Sequence, residues 1–578
     1  MEAFRLIHPR DFIPRIVELF PGGKGRNYSL AALGRDCLAG LMVGIVALPL
    51  SMAFSIAAGG TPAQGLYTAM TAGFCVSLLG GSRFQIAGPT GAFVIIIFGV
   101  VAEHGMAGLI AATLLAGLIL VIMGITGLGQ FIKYIPYPVT TGFTTGIGAL
   151  IFSQQIKDFF GLRIASSSPA FFEKWAEYVT WFHTLDPAAL GVGLGTMAVI
   201  IILRRAFPRL PGAALGVAAA TVICSVFALP VETIGSRFGG IPSAFPRPAL
   251  PELSWPLFRA ILPDSFTIAL LAAIESLLSA VVADGMTGDR HNANMELAAQ
   301  GLGNIASAVF GGIPATGAIA RTAANIKSGA VSPVAGLVHA LTLAAFVLFL
   351  SPAASAVPLS SLSAVLMVVS WDMSNVPRFL RLIRRSPRSD TIVLLTTFAL
   401  TVAFDLTFAV EVGVILAMLL FLRRMIEVAD IRPGNDDIMA KLAFDGAGKG
   451  EKKGSEGKKD AGSLAALARK DIEIYEIAGP FFFGVADMLQ TILRRVSKPP
   501  RALILRMRDV PVIDSTGIAA LESFMAQCRS RKIRLILCEI RAQPGKALEK
   551  SGFLADLGPG SAAPTLEDAI AEAERSEE

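Results

Sequence analysis

"IAGPTGAFVIII", residues 86–97, lies in a strongly apolar part of the chain, yet it opens with glycine, proline and threonine where a membrane helix would carry leucine or isoleucine. "FGGIPATGAIART", residues 310–322, makes the same departure again. Two shorter strings recur in the same order: "AQGL" at 63–66 and 299–302, then "TGA" at 90–92 and 316–318. The spacing within the two copies is unequal, but each copy contains one apolar span too short to cross a bilayer, 91–102 and 317–328. A bilayer crossing needs about 20 residues, so each of these is read as half of a broken helix. Inverted repeats with discontinuous helices are how many secondary transporters build a site at mid-membrane.

A helix that begins inside the membrane leaves its first N–H groups without intrahelical partners. Those groups and the positive end of the helix dipole attract an anion. Pro89 lacks an N–H and suits a helix start. Gly91 and Gly317 allow close approach to the backbone, and Thr90 and Thr316 can cap or donate. The candidate anion-binding segments are therefore Thr90-Gly91-Ala92 and Thr316-Gly317-Ala318. Tight helix packing, which small residues also permit in bilayers, is the competing reading of these glycines.

The wider composition agrees with a membrane protein. Of 578 residues, 53% are hydrophobic and 16% charged, well below the usual quarter. About fourteen apolar spans follow one another between residues 36 and 425, which predicts an α-helical polytopic transport domain. Residues 1–35 are mixed and basic, without the apolar stretch of a secretory signal. If they are cytoplasmic, the loops holding Arg83, Lys133, Arg204, Arg290, Lys327, Arg378 and Arg423 fall on the same side, as the positive-inside rule requires. The Pro-rich loop 231–263 then lies outside.

Two charges stand at membrane depth. Glu275, in "IALLAAIESLLSAVV", is mid-span, where a carboxylate is functional by default, and Ser279 shares its helical face. Arg321 stands inside the second half-helix. Either the pair forms a structural salt bridge, or Arg321 holds the anion while Glu275 and Ser279 take a driving proton or sodium ion. No cofactor, metal cluster, nucleotide loop or nucleophile–base pair is apparent, and His291 reads as a loop residue without a ligand-type neighbour. An enzyme and a nucleic-acid partner are therefore not expected. The five cysteines read as small apolar fillers.

After residue 425 the character changes. Residues 426–470 read as a linker with a charged, Gly- and Lys-rich insertion that cannot bury a core. From 471 to 578, strands ("DIEIYEI", "ALILRM", "IRLILCEI") alternate with helices at about 485–495, within the turn and helix of "DSTGIAALESFMAQCRSR" and near 544–550, predicting an α/β domain with a mainly parallel sheet.

The stretches "GLMVGIVALPLSMAFSIAAGGTPAQGLYTA", "GGSRFQIAGPTGAF", "AIESLLSAVVADGMTGDRHNANMELAAQGLGNIASAVFGGIPATGAIART", "GPFFFG" and "VIDSTGIAALESF" resemble the SulP anion transporters, which end in a STAS domain. The third stretch is most similar to C4-dicarboxylate-transporting members. The resemblance implies a seven-plus-seven inverted repeat like that of the uracil transporters, with a core domain moving as an elevator against a gate domain. It also implies a homodimer in the bacterial inner membrane, with both termini and the STAS domain cytoplasmic.

The same resemblance places the anion near Thr90–Ala92 and Gly317–Ala318, with Arg321 beside it and Phe54 lining the site, and assigns Glu275 and Ser279 to coupling. Leu50 follows Pro49, where many members carry Gln or Glu, so no proton role passes to that position. "DSTG" puts Ser515 at a helix start, the serine phosphorylated in soluble STAS relatives; simple N-capping by Ser515 or Thr516 is the alternative. The expected function is proton-coupled uptake of a C4-dicarboxylate, with sulfate or bicarbonate as alternative substrates, and a passive anion channel or a regulatory protein with a STAS-bound cytoplasmic partner as alternative classes.

Overall fold

The structure, a computed structural model, describes residues 12–19, 28–130, 136–164, 171–207, 210–251, 254–404, 406–428, 430–433, 472–482, 489 and 499–575. The chain divides into two compact units, Met1–Ala417 and Met418–Glu578.

In chain order the first unit contains α1 (Leu30–Ala57), α2 (Pro62–Leu79), strand β1 (Ala87–Gly88), α3 (Phe93–Ile125), α4 (Tyr137–Phe160), α5 (Phe171–Trp181), α6 (Pro187–Ala206) and α7 (Gly212–Val226). It continues with α8 (Ile234–Phe238), α9 (Trp255–Thr287), α10 (Ala293–Val309), strand β2 (Thr316–Gly317), α11 (Ile319–Lys327), α12 (Val334–Phe349) and α13 (Ser351–Ser355). The last helices are α14 (Leu359–Ser374), α15 (Val376–Arg385), α16 (Arg388–Ala403) and α17 (Leu406–Val428), of which α17 continues past Met418 into the second unit's residues. Every span expected from the sequence has a helix, and α3 holds two of them. Its halves meet at Gly105, with φ 69° and ψ −179°, a conformation that glycine adopts without steric cost.

Two differences from the sequence reading have local causes. α9 begins at Trp255, well before the expected 264, because Ser254 caps it by accepting the Leu257 N–H, and Pro263 is accommodated inside the helix. The loop read over 231–263 thus loses its last part to α9 and also contains α8. Helix α5 was not anticipated; it is short and amphipathic, burying Lys174 and Tyr178 only.

The packing falls into two helix sets. α3 packs on α9 and α10, α1 on α12, and α2 on α10 and α12, while α4 packs on α14, α16 and α6. The first set is the core domain and the second the gate. Glycines set these crossings: a Cβ on Gly117 would stand 2.7 Å from the Gly301 carbonyl, and one on Gly301 2.6 Å from the Gly117 carbonyl. Without a water-driven hydrophobic force between helices, such close backbone contact supplies the dispersion energy of association.

Loop contacts sort the helix ends onto two faces. On one, Asp36 accepts the Val331 N–H at 2.7 Å, and Gly81 accepts the Asn292 N–H at 2.9 Å. On the other, Ile234 donates to Val357, Arg237 pairs with Asp158 at 2.9 Å and His104 lies 3.4 Å from Asp264. This is the alternation the span count predicts.

The second unit is a five-stranded sheet in the order β3 (Asp430–Pro433), β4 (Ile472–Ala478), β5 (Ala502–Asp509), β6 (Arg534–Cys538) and β7 (Ala562–Ala563). β4 to β7 are parallel, and β3 is antiparallel at the edge. Helices α18 (Ser515–Ser530), α19 (Ala542–Lys550), α20 (Phe553–Leu557) and α21 (Leu566–Glu574) cover it. Phe481, Phe524 and Phe553 are fully buried in one core, with Ile431 of β3 packed on its rim. The stretch read as linker therefore gives its first residues to the sheet, because Ile431 gains an apolar surface and the strand a hydrogen-bonded partner. The charged insertion and the helix expected at 485–495 lie outside the described residues, apart from Leu489.

Candidate functional site: two crossed helix starts

The two broken spans meet. β1 and β2, the extended residues just before the half-helices, pair antiparallel, with Ala87 opposite Gly317 and Gly88 opposite Thr316. Ala318 N–H adds a bond to the Ile86 carbonyl at 2.8 Å. The helix starts of α3 and α11 are thus tied together at one crossing, buried within the core domain.

Side chains of α9 hold this crossing. The Thr316 hydroxyl donates to the Ala272 carbonyl at 3.1 Å and lies 2.7 Å from the Ser276 hydroxyl, which also accepts the Gly317 N–H at 3.0 Å. Ser279 donates to the Thr322 hydroxyl at 3.1 Å, and that oxygen accepts the Ile86 N–H at 3.1 Å. Ser276, Gln85 and Thr322 are positioning residues that the sequence reading missed. The one signal available was the polar pattern Glu275, Ser276, Ser279 on an otherwise apolar helix.

Of the two roles open to the threonines, capping or donating, both donate. The caps are Ala92 and Ala318, with no side-chain bond at either. Thr316 is committed to α9. Thr90, the matching residue, donates instead to Glu275 Oε2 at 3.0 Å. Both Thr90 and Glu275 are buried.

Arg321 is 2% exposed. Its Nη2 donates to the Pro89 carbonyl, and its Nη1 is buried without a hydrogen-bond partner among the described residues. That nitrogen faces Gly88, where a Cβ would stand 2.5 Å from it. No Glu275–Arg321 ion pair occurs among the described residues, so the salt-bridge reading of the two charges does not describe this geometry.

The backbone supplies further donors. The N–H groups of Thr90, Gly91 and Ala92, and those of Ile319, Ala320 and Arg321, find no acceptor among the described residues. Phe54 is buried beside the first set: a Cβ on Gly91 would stand 3.2 Å from its ring, 2.8 Å from Ile151 and 2.9 Å from Met373. Gly91 is therefore where the core's half-helix touches the gate. Gly317 differs. A Cβ there would fall 1.6 Å from Gln85 Nε2, so the glycine makes room for a buried amide rather than for a ligand.

Of the remaining candidates, His291 has a partner after all: its Nδ1 lies 2.7 Å from Asp284. In the second unit, Asp514 rather than Ser515 or Thr516 caps α18, accepting the Gly517 N–H at 2.8 Å. Ser515 and Thr516 are exposed at the first turn. Cys224, Cys528 and Cys538 are buried, Cys75 partly so, and Cys37 is exposed.

Comparison with known proteins agrees with this architecture. Residues 33–397 match the model of the sulfate permease family, and residues 463–573 match that of the STAS domain. The putative sulfate transporter YvdB of Bacillus subtilis is 40% identical over 93% of this chain and 97% of its own length. The bicarbonate transporter BicA of Picosynechococcus is 29% identical over 93% and 94%. Among solved structures, the murine Solute Carrier 26 family member A9 anion transporter superposes with a TM-score of 0.81 at 19% identity, covering 97% of this chain and 94% of that one. The transmembrane domain of a cyanobacterial BicA covers 67% of this chain and 98% of its own, with a TM-score of 0.59 at 28% identity.

Proposed function

This chain belongs to the sulfate permease (SulP) family of anion transporters and carries a STAS domain, and on that premise we propose that it is a secondary active transporter of a small oxyanion, coupled to protons. The observation that carries the proposal is the crossing: two sets of backbone N–H groups and the Nη1 of Arg321, none with a partner among the described residues, all within one buried junction. Donors fixed in a low-dielectric site bind negative charge strongly because nothing must reorganise to receive it. The backbone N–H groups of Thr90–Ala92 and Ile319–Arg321, with the Arg321 guanidinium, would hold the anion, and Phe54 would close the side toward the gate; Ala318, whose N–H goes to the Ile86 carbonyl, would position the second set.

Glu275 would carry the coupling proton. It is buried, its one hydrogen bond comes from Thr90, and it has no cation paired to it among the described residues. Taking up a proton as the anion arrives keeps the net charge of the moving core low. Sodium is the weaker reading: hard cations want several oxygen ligands, and Ser279, the expected second ligand, donates to Thr322 instead.

For the substrate, the relative named as a putative sulfate transporter and the one named as a bicarbonate transporter support a compact inorganic oxyanion. The tight packing of Gly91 against Phe54, Ile151 and Met373 supports the same. A C4-dicarboxylate is the second reading, carried by the similarity of residues 273–322 to dicarboxylate-transporting members. Movement of the core helices as an elevator against the gate, a homodimeric assembly, cytoplasmic termini in a bacterial inner membrane, and regulation or partner binding through Ser515 on the STAS domain complete the proposal.

Uptake of labelled sulfate, bicarbonate and succinate into proteoliposomes, each with and without an inward proton gradient, tests it. Gradient-driven accumulation of sulfate or bicarbonate is expected. Anion currents that reverse at the anion's equilibrium potential and ignore the proton gradient would identify a channel and end the proposal.

A further inference from the structure

Helix α5 lies in the connection between α4 and α6. Phe172, Trp175 and Val179 on its outer face are exposed, while Lys174 and Tyr178, one turn apart, face inward and are buried. This arrangement is unusual because the inward residue is a lysine. Lys174 is 5% exposed. Its ammonium lies over the ring of Phe98, 5.4 Å from the centroid. It makes no hydrogen bond or ion pair among the described residues; the carboxylate acting on it, electrostatically only, is that of Glu177. Burial pushes its pKa down and Glu177 opposes that shift.

The ammonium borders a cavity of about 290 Å³, whose lining includes Phe98, Gln154, Lys157, Lys174 and Arg237. The other two cations there are already committed. Arg237 pairs with Asp158 at 2.9 Å and with Glu232, and Lys157 donates to the Ile164 carbonyl at 2.6 Å. Lys174 is the lining cation left without an acceptor. A buried ammonium with three unused donors is costly unless something negative meets it. Cation–π contact with Phe98 offsets only part of that cost.

The cavity's position points to what that negative group is. Phe98 belongs to the first half-helix, five residues beyond its first residue Phe93, so the cavity stands about 7–8 Å along the helix from the crossing. Ala53, next to Phe54, lines it as well, and so do Leu362 and Leu366 of the gate helix α14. It therefore lies between core and gate, on the face formed by the loops after α1 and α4.

We propose that Lys174 binds a small anion in this cavity, as an outer waiting site from which substrate passes to the crossing. This rests on the anion-transport reading above. The probe is reductive methylation of the full-length protein in detergent, followed by mass spectrometry of the Lys174 peptide, with sulfate or bicarbonate against gluconate at equal ionic strength. Sulfate or bicarbonate is expected to slow methylation of Lys174 several-fold while leaving the exposed lysines unaffected. In proteoliposomes, Lys174→Gln is expected to raise the half-saturating external anion concentration several-fold at unchanged maximal rate, and Lys174→Arg to restore it. Protection of Lys174 in a protein that transports none of the tested anions would uphold the site and overturn the transport reading. Transport without protection, and with Lys174→Gln indistinguishable from wild type, would overturn the site alone.

Discussion

Gly91 and Gly317 occupy matching places in the two halves of the repeat, yet alanine at each should act differently. At Gly317 the new methyl would fall 1.6 Å from Gln85 Nε2, 2.6 Å from its Cδ and 3.2 Å from Ser276 Cα. Gln85 must leave, and its buried 3.0 Å bond to the Ser276 carbonyl is lost with it. Leaving the displaced amide buried without that acceptor costs about 1–3 kcal/mol, and overpacking adds about 1–3 kcal/mol more. At Gly91 the methyl meets the far ends of Ile151, Met373 and Phe54 at 2.8–3.2 Å; these side chains can rotate away, so the stability cost stays below about 1 kcal/mol. The wedge there lies between core and gate, so it should slow transport instead. Thermal unfolding of both full-length variants in detergent, with uptake rates at equal reconstituted protein, reads the difference. Gly317→Ala is expected to unfold several degrees earlier, with Gln85→Ala in the same chain recovering part of the loss. Gly91→Ala is expected to keep the wild-type unfolding temperature and lose rate. Equal destabilisation by both alanines would refute the assignment of Gly317 to packing and of Gly91 to the moving boundary.

Thr90→Val keeps the shape of the threonine and removes its bond to Glu275; a bond to a carboxylate contributes about 1.5–3 kcal/mol, so the optimum of the pH–uptake profile should move while Thr90→Ser restores it. Asp514→Ala removes the cap of α18 at a cost of about 1 kcal/mol, read as roughly fivefold faster hydrogen exchange of the peptide containing Gly517, with uptake unchanged. Burial pushes the Cys528 and Cys538 thiols up to about 12, so maleimide at neutral pH should label exposed Cys37 and spare both until the STAS domain unfolds; equal labelling would contradict the packing of its core.

Much of this was legible because local sequence controls it. Pro89, Gly91 and the second "TGA" announced where helices start inside the membrane, and the polar break around Gly105 divided α3 where the chain bends. The strands of the STAS sheet follow from alternating and buried apolar runs. What sequence did not show are the pairings between distant residues. Thr90 could cap or donate by sequence alone, and only the fold brings Glu275, far away in sequence, within reach to accept its hydroxyl. Gly317 looked open to a ligand until Gln85 occupied the space. Nothing in the sequence marks Lys174 as buried; the folding of α5 onto Phe98 buries it. β3 was hidden because its partner strand lies beyond the charged insertion.

On the proposed mechanism, Glu275 couples proton movement to anion movement. Glutamine at this position retains an oxygen to accept the Thr90 hydroxyl, so the crossing keeps its shape while the titratable group is gone. The measurement is sulfate and bicarbonate transport by the Glu275→Gln protein and the wild type in proteoliposomes, with a pH dye inside, under an inward proton gradient and without one. The wild type is expected to accumulate anion against its gradient with proton entry, and Glu275→Gln only to equilibrate anion without moving protons. Accumulation by Glu275→Gln at the wild-type level, with the same proton entry, would contradict it.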